Sequence, residues 1–212
     1  MTPDAATCDP VDHRRAFGRT LRLAEARAGA PQRDELEAFV ARAFERRHDA
    51  RVQSFMPTLL SFRDASGELR GVIGLRGAAR QPLYLEQYLE QPVEAAISAA
   101  TGQPVQRTQV VEVGNLAGAN CRAAMRMVAQ LPGYLLSRDY CWIVFTATRT
   151  VRGILESLGA PLVELARADG ARVAAGPDRW GRYYEQDPRV LAGFLPASRR
   201  IPGFNRPARD RP

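Results

Sequence analysis

Val110-Val111-Glu112-Val113-Gly114-Asn115-Leu116-Ala117-Gly118-Ala119-Asn120 is the stretch on which the reading of this chain turns. Residues 105–113 have strand character, strongest over 110–113, where β-branched residues crowd together. Two glycines and an asparagine over 114–118 read as a loop. Asn120 then fits an N-cap, because the helix that follows carries Ala124, Met127, Val128 and Leu131 on one face. Pro132-Gly133 is expected to kink or divide that helix. A single carboxylate, Glu112, stands among the valines, and burying it without a partner would be costly.

Upstream, Pro31 and Asp34 open a helix with Leu36, Phe39, Val40, Ala43 and Phe44 at helical spacing. Residues 58–63 and 69–76 read as strands joined by the turn Asp64-Ala65-Ser66-Gly67, an antiparallel hairpin. Residues 81–88 fit no single element. A helix is expected from 91 to about 101, with Pro92 in its first turn. Downstream, 140–146 reads as a buried strand and 150–158 as a helix closed by Gly159 and Pro161. Residues 162–166 and 179–185 are the last strand candidates. Hairpin first and strand–helix units later predict an α/β (α+β) fold with one mixed central sheet flanked by helices. The expected organisation is a weakly helical N-terminal extension over 1–30, one domain over 31–193, and a poorly ordered, basic, Pro-rich tail over 194–212.

The composition narrows the chemistry. The chain has 212 residues, and its 30 basic residues are all Arg, against 23 Asp and Glu, for a formal charge of +7. Without Lys there is no Schiff-base amine and no P-loop lysine. The tail holds five Arg against one Asp, so the body is only mildly basic. No apolar run is long enough to span a bilayer, and the first residues do not read as a secretory signal. Three Cys without metal-like spacing imply reduced thiols in a cytoplasmic protein, and His13 and His48 lie far from any Cys pair, so no metal site is expected. No nucleic-acid-binding signature is present.

Four segments carry a resemblance. They are Gly74-Leu75-Arg76 leading into Leu83-Tyr84-Leu85-Glu86-Gln87-Tyr88-Leu89, Val111-Glu112-Val113-Gly114-Asn115-Leu116-Ala117, Phe145-Thr146-Ala147-Thr148, and Trp180-Gly181-Arg182-Tyr183-Tyr184. Together they resemble the thermostable hemolysin family over residues 39–193. That family looks like a branch of the GNAT-type acyltransferase fold and resembles the acyl-homoserine-lactone synthases. The resemblance implies a GNAT-like domain that passes an acyl group from a thioester, on acyl carrier protein or coenzyme A, to the amine of a small molecule such as an amino acid. No tightly bound cofactor is implied. The alternative takes the family name literally: a membrane-active haemolysin without enzymatic activity, making peripheral contact with a bilayer.

In GNAT folds the central strand splays from its neighbour and the thioester enters the gap. The resemblance makes 110–113 that strand. Backbone N–H groups around Val113 and Leu116 would polarise the thioester carbonyl, and those at Gly118 and Asn120 would meet the donor's phosphates. Asn115 and Asn120 stand where the usual phosphate loop has other residues; the lactone synthases also depart there and commonly use acyl carrier protein. Glu112 is either the base for the attacking amine or a salt-bridge partner for Arg76 or Arg107. Arg76 resembles the Arg closing the matching lactone-synthase strand, so it either forks onto a substrate carboxylate or pairs with Glu86 or Glu112. Glu86 is a second candidate carboxylate. Asn115 either satisfies the loop backbone or holds a substrate carbonyl. Trp180 either lines the substrate pocket or packs in the core, and Tyr184 is a candidate acid for the leaving thiolate.

Overall fold

The computed structural model describes residues 20–157, 159–173 and 177–200. Seven strands form one sheet in the order β1-β2-β3-β4-β5-β7-β6. They are β1 (Arg22–Arg27), β2 (Thr58–Arg63), β3 (Leu69–Gly77), β4 (Val110–Gly118), β5 (Trp142–Ala147), β6 (Leu162–Arg167) and β7 (Arg189–Phe194). Only β4 and β5 pair in parallel; every other neighbouring pair is antiparallel. The mixed sheet expected from the element order is therefore present.

Helices α1 (Arg33–His48) and α2 (Val93–Thr101) cover one face, and α3 (Cys121–Leu136) covers the other. Met127 of α3 lies where a Cβ on Gly71 would sit, so β3 and α3 approach closely only because that residue is glycine. Leu36 and Val40 of α1 are fully buried with Leu59, Val72 and Ala117. Val93 and Ile97 of α2 pack with Leu85, Val110 and Val144. Helix α4 (Arg149–Ser157) follows β5. Pro132 sits inside α3 without dividing it.

Several expectations need correction. The stretch read as weakly helical contains β1, which pairs along its whole length with β2. Its alternating burial, with Ala26 fully enclosed, shows that edge pairing overrode the helix preference of Ala and Arg. Residues 114–118 are not a loop but the second half of β4, paired with β3. Residues 179–185 are not a strand; they lie in the 3-10 segment Pro177–Gln186, and the last strand is β7. The tail is not wholly loose at its start. Leu195 is 2 % exposed within the core and its N–H donates to Cys141 O. Cys121 is disulfide-bonded, against the expectation of three reduced thiols, whereas Cys141 is free. Counting cysteines says nothing of which thiols the fold brings together. Cys8, His13, the first 19 residues and residues 201–212 lie outside the described residues.

Candidate active site

Cross-strand register brings the first pair of groups together. Arg76 of β3 stands opposite Glu112 of β4, and Gly74 stands opposite Gly114. Alternation puts all four on one face, between α1 and α2. A Cβ on either glycine would come within 2.7 Å of the Met56 side chain, so the glycines admit Met56 against the sheet. Beyond Gly114 the ladder slips, and Asn115 and Leu116 together oppose Ile73, a β-bulge. Asn115 takes φ 48°, and its Oδ1 accepts a 2.8 Å hydrogen bond from Met56 N. Asparagine tolerates that left-handed conformation better than most residues.

Strand β4 pairs with β5 only from Val110 to Val113, opposite Trp142 to Phe145. Past that point β4 continues to Gly118 with β3 alone, while β5 continues with β7. The two parallel strands therefore part beside Val113, at the bulge.

Glu112 is 3 % exposed. Its Oε2 accepts from Tyr84 N at 2.8 Å and its Oε1 from Leu85 N at 2.9 Å. Arg76 Nη1 lies 4.0 Å from Oε2, a loose contact. Burial pushes the carboxyl up to about 7, outweighing the two N–H donors and the Arg76 charge that act downward. Two buried atoms of residues that touch it, Arg76 Nε and, on the far end of its ring, Tyr84 Oη, have no hydrogen-bond partner among the described residues. Orphaned buried donors of this kind are uncommon and mark a place for a ligand or water.

An aromatic group continues from Tyr84. Its ring lies 5.9 Å from that of Trp180, which is 5.6 Å from Tyr183 and 6.4 Å from Phe44. His48, at the end of α1, contacts Phe44 at 5.7 Å and Tyr183 at 5.4 Å. Its Nδ1 is a third orphan, and burial holds the imidazole neutral, with its pKa lowered to about 4. Gly181 locks this group in place. It takes φ 50°, and a Cβ there would lie 2.2 Å from His48 O.

The remaining expected residues have other partners. Glu86 accepts from Leu83 N and Val93 N and receives both Nη groups of Arg107, which hold its carboxyl down near 2. Arg107 is thus the partner of Glu86, not of Glu112. The Tyr184 hydroxyl shares a 2.7 Å hydrogen bond with that of Tyr88, and burial pushes it up to about 12. Asn120 caps α3 through Ala123 N at 2.9 Å. It also lines a cavity of about 170 Å³ with Asp64, Arg70, Arg122 and Arg126. Gly118 packs its backbone against Ala124. Val113 and Leu116 are half-buried against the core under α3.

Arg76 thus stands by Glu112, Glu112 holds the backbone of Tyr84, and Trp180 packs on the ring of Tyr84, while Glu86 and Tyr184 are engaged with other partners. Sequence reasoning missed Tyr84, His48 and Met56. Tyr84 stood inside a quoted motif, two residues from Glu86; Met56 carried no signal at all. Among the described residues no cluster of His, Cys, Asp and Glu is arranged to hold a metal ion, and no helix is long and apolar enough to cross a membrane.

Solved acyl-transferring synthases share this fold. FeeM, an N-acyl amino acid synthase from uncultured soil microbes, superposes with a TM-score of 0.53 at 17% identity, covering 84% of this chain and 93% of that one. The acyl-homoserine-lactone synthase LasI gives 0.53 at 14%, covering 84% and 91%. BjaI, a coenzyme-A-dependent acyl-homoserine-lactone synthase, gives 0.54 at 14%, covering 84% of each chain. Among curated proteins no match is found. The chain belongs to the thermostable hemolysin family, whose pattern matches residues 26–199.

Proposed function

We propose that this protein is an N-acyltransferase that moves an acyl group from a thioester to the amine of a small, carboxylate-bearing acceptor such as an amino acid. The observation that carries the reading is the buried Glu112 facing Arg76, whose Nε is unpartnered, with the unpartnered Oη of Tyr84 on the turn that Glu112 holds. Arg76 forks onto the acceptor's carboxylate, and Tyr84 Oη donates to the same group. Glu112, poised near neutrality, takes a proton from the acceptor's ammonium. The freed amine attacks the thioester carbonyl; a C–N bond forms, the C–S bond breaks, the thiolate receives the proton from Glu112, and the extra proton left on the new amide nitrogen passes to the regenerated Glu112 carboxylate and from there to solvent. Backbone N–H groups at the bulge, around Val113 to Leu116, stabilise the oxyanion. Trp180 and Tyr183 wall the acceptor side.

The donor is acyl carrier protein or coenzyme A. Both end in a phosphopantetheine arm, whose phosphate suits the start of α3, where Gly118, Asn120 and the Arg70, Arg122 and Arg126 cavity lie. Glu86 and Tyr184 take no chemical step in this reading, because each is held by a partner of its own. FeeM and LasI, both acyl-transferring synthases, support the assignment by analogy of fold.

Free-thiol release from acyl thioesters tests it. Release is expected only when an amino-acid acceptor is present. Glu112→Gln is expected to lower it by about 10²–10⁴-fold while the circular dichroism stays unchanged. Leakage from lipid vesicles without any acyl donor, together with donor-independent haemolysis, would instead favour direct membrane action.

A further inference from the structure

Glu112 owes its hydrogen bonds to a turn that does not hold itself. Tyr84–Tyr88 is a single 3-10 segment, and its first two N–H groups are the ones that reach Glu112. So short a segment has little stability of its own. Leu85 and Tyr88 bury beneath it and Arg172 holds Tyr88 O, but the polar anchor at its start is Glu86. Its carboxylate accepts from Leu83 N at 2.8 Å and Val93 N at 3.0 Å, tying the turn to the start of α2.

Glu86 is in turn gripped by Arg107, whose Nη1 and Nη2 reach its two oxygens at 2.6 and 2.8 Å. Arg107 also donates from Nε to Ala78 O at 2.9 Å and from Nη1 to Glu94 at 2.7 Å. The guanidinium therefore joins four places: the end of β3, the turn, α2 and the approach to β4. Its fork matches two carboxylate oxygens in a way a point charge would not.

The geometry points to Arg107 as a positioning residue that, through Glu86, fixes the Tyr84–Leu85 backbone donors on Glu112. This rests on the reading of Glu112 as the base, but its test needs no acyl transfer. The groups facing Glu112 are Arg76 from β3 and Tyr84 and Glu86 from the turn. Releasing the clasp weakens the two N–H bonds and leaves the Glu86 charge less compensated. Both changes push the Glu112 carboxyl in one direction, upward.

The experiment uses the full-length chain labelled with ¹³C at glutamate Cδ, with Glu112→Gln assigning the resonance. Amide hydrogen exchange is followed at Tyr84 and Leu85, with Ile73 and Val111 as core references. In Arg107→Met, exchange at Tyr84 and Leu85 is expected to rise about ten-fold or more while Ile73 and Val111 keep their protection. The Glu112 midpoint is expected to move up by about one unit. Arg107→Lys is expected to recover part of both effects, and Glu94→Gln to produce neither. Should Arg107→Met fail to fold, Glu86→Gln carries the test through the exchange readout alone. Unchanged exchange at Tyr84 and Leu85 in a folded variant would overturn the assignment. So would equal acceleration at Ile73 and Val111, or the same shift in Glu94→Gln.

Discussion

Glu112 gains its character from what surrounds it, not from its own type. Buried at 3 % exposure, it has two N–H donors and a distant Arg76, enough to tolerate its charge but not to fix it. With its carboxyl pushed up to about 7, the rate of acyl transfer is expected to rise with pH through that value and then level off, because the base must be ionised. Arg76 acts downward on the same carboxyl, so Arg76→Ala is expected to move that limb to higher pH. The same variant should raise the acceptor KM more than it lowers kcat, since it removes binding of a carboxylate distant from the reacting carbonyl. Steady-state kinetics across pH 5 to 9 separate these effects. Glu86 offers the contrast: a carboxylate in the same motif, but held near 2 by Arg107 and unable to act as a base that gains and loses a proton near neutrality.

At the scale of elements, the strand–helix unit from Val110 to Leu136 was legible because valine crowding and an Asn cap are local signals. The candidate pair of Glu112 and Arg76 was legible for the same reason: each stands at a marked point on a strand. The bulge at Asn115 was not. Gly114, Asn115 and Gly118 punctuate a sequence as a loop would, and only pairing with β3 turns them into strand. The aromatic run at 179–185 misled in the opposite way. Trp180, Tyr183 and Tyr184 look like strand residues, but Gly181 turns left-handed against α1 and breaks any ladder. That contact is long-range, so no window of sequence contains it. It also yields a prediction. Gly181→Ala adds a left-handed strain and a clash with His48 O, and is expected to lower Tm by roughly 4–10 °C. Gly29→Ala has a comparable φ but open space around it, and should cost clearly less by the same thermal scan.

Across the whole molecule, two buried groups bend the pH dependence of stability in opposite directions. His48 has a folded pKa lowered to about 4, so its contribution is present above 6.5 and lost as pH falls toward 4. Glu112 has a folded pKa raised to about 7, so its contribution is present below 4.5 and lost as pH rises through 7. Their windows overlap, and the wild-type curve between pH 4.5 and 6.5 is expected to be flatter than either variant's. Urea unfolding should show stability climbing with pH in Glu112→Gln and falling with pH in His48→Phe. Below pH 4.5 all versions should weaken as Glu86 takes its proton.

Past the point where β4 and β5 part, β4 runs on to the start of α3; in the proposed reaction that end receives the donor, while Glu112 and Arg76 receive the acceptor. An acyltransferase needs both. The most direct measurement is thiol release from a long-chain acyl thioester, on acyl carrier protein and on coenzyme A, with and without amino-acid acceptors. Release is expected to require the acceptor, to yield an N-acyl product by mass spectrometry, and to be lost in Glu112→Gln. Acceptor-independent release, or full activity in a folded Glu112→Gln variant, would contradict the proposed acyl transfer.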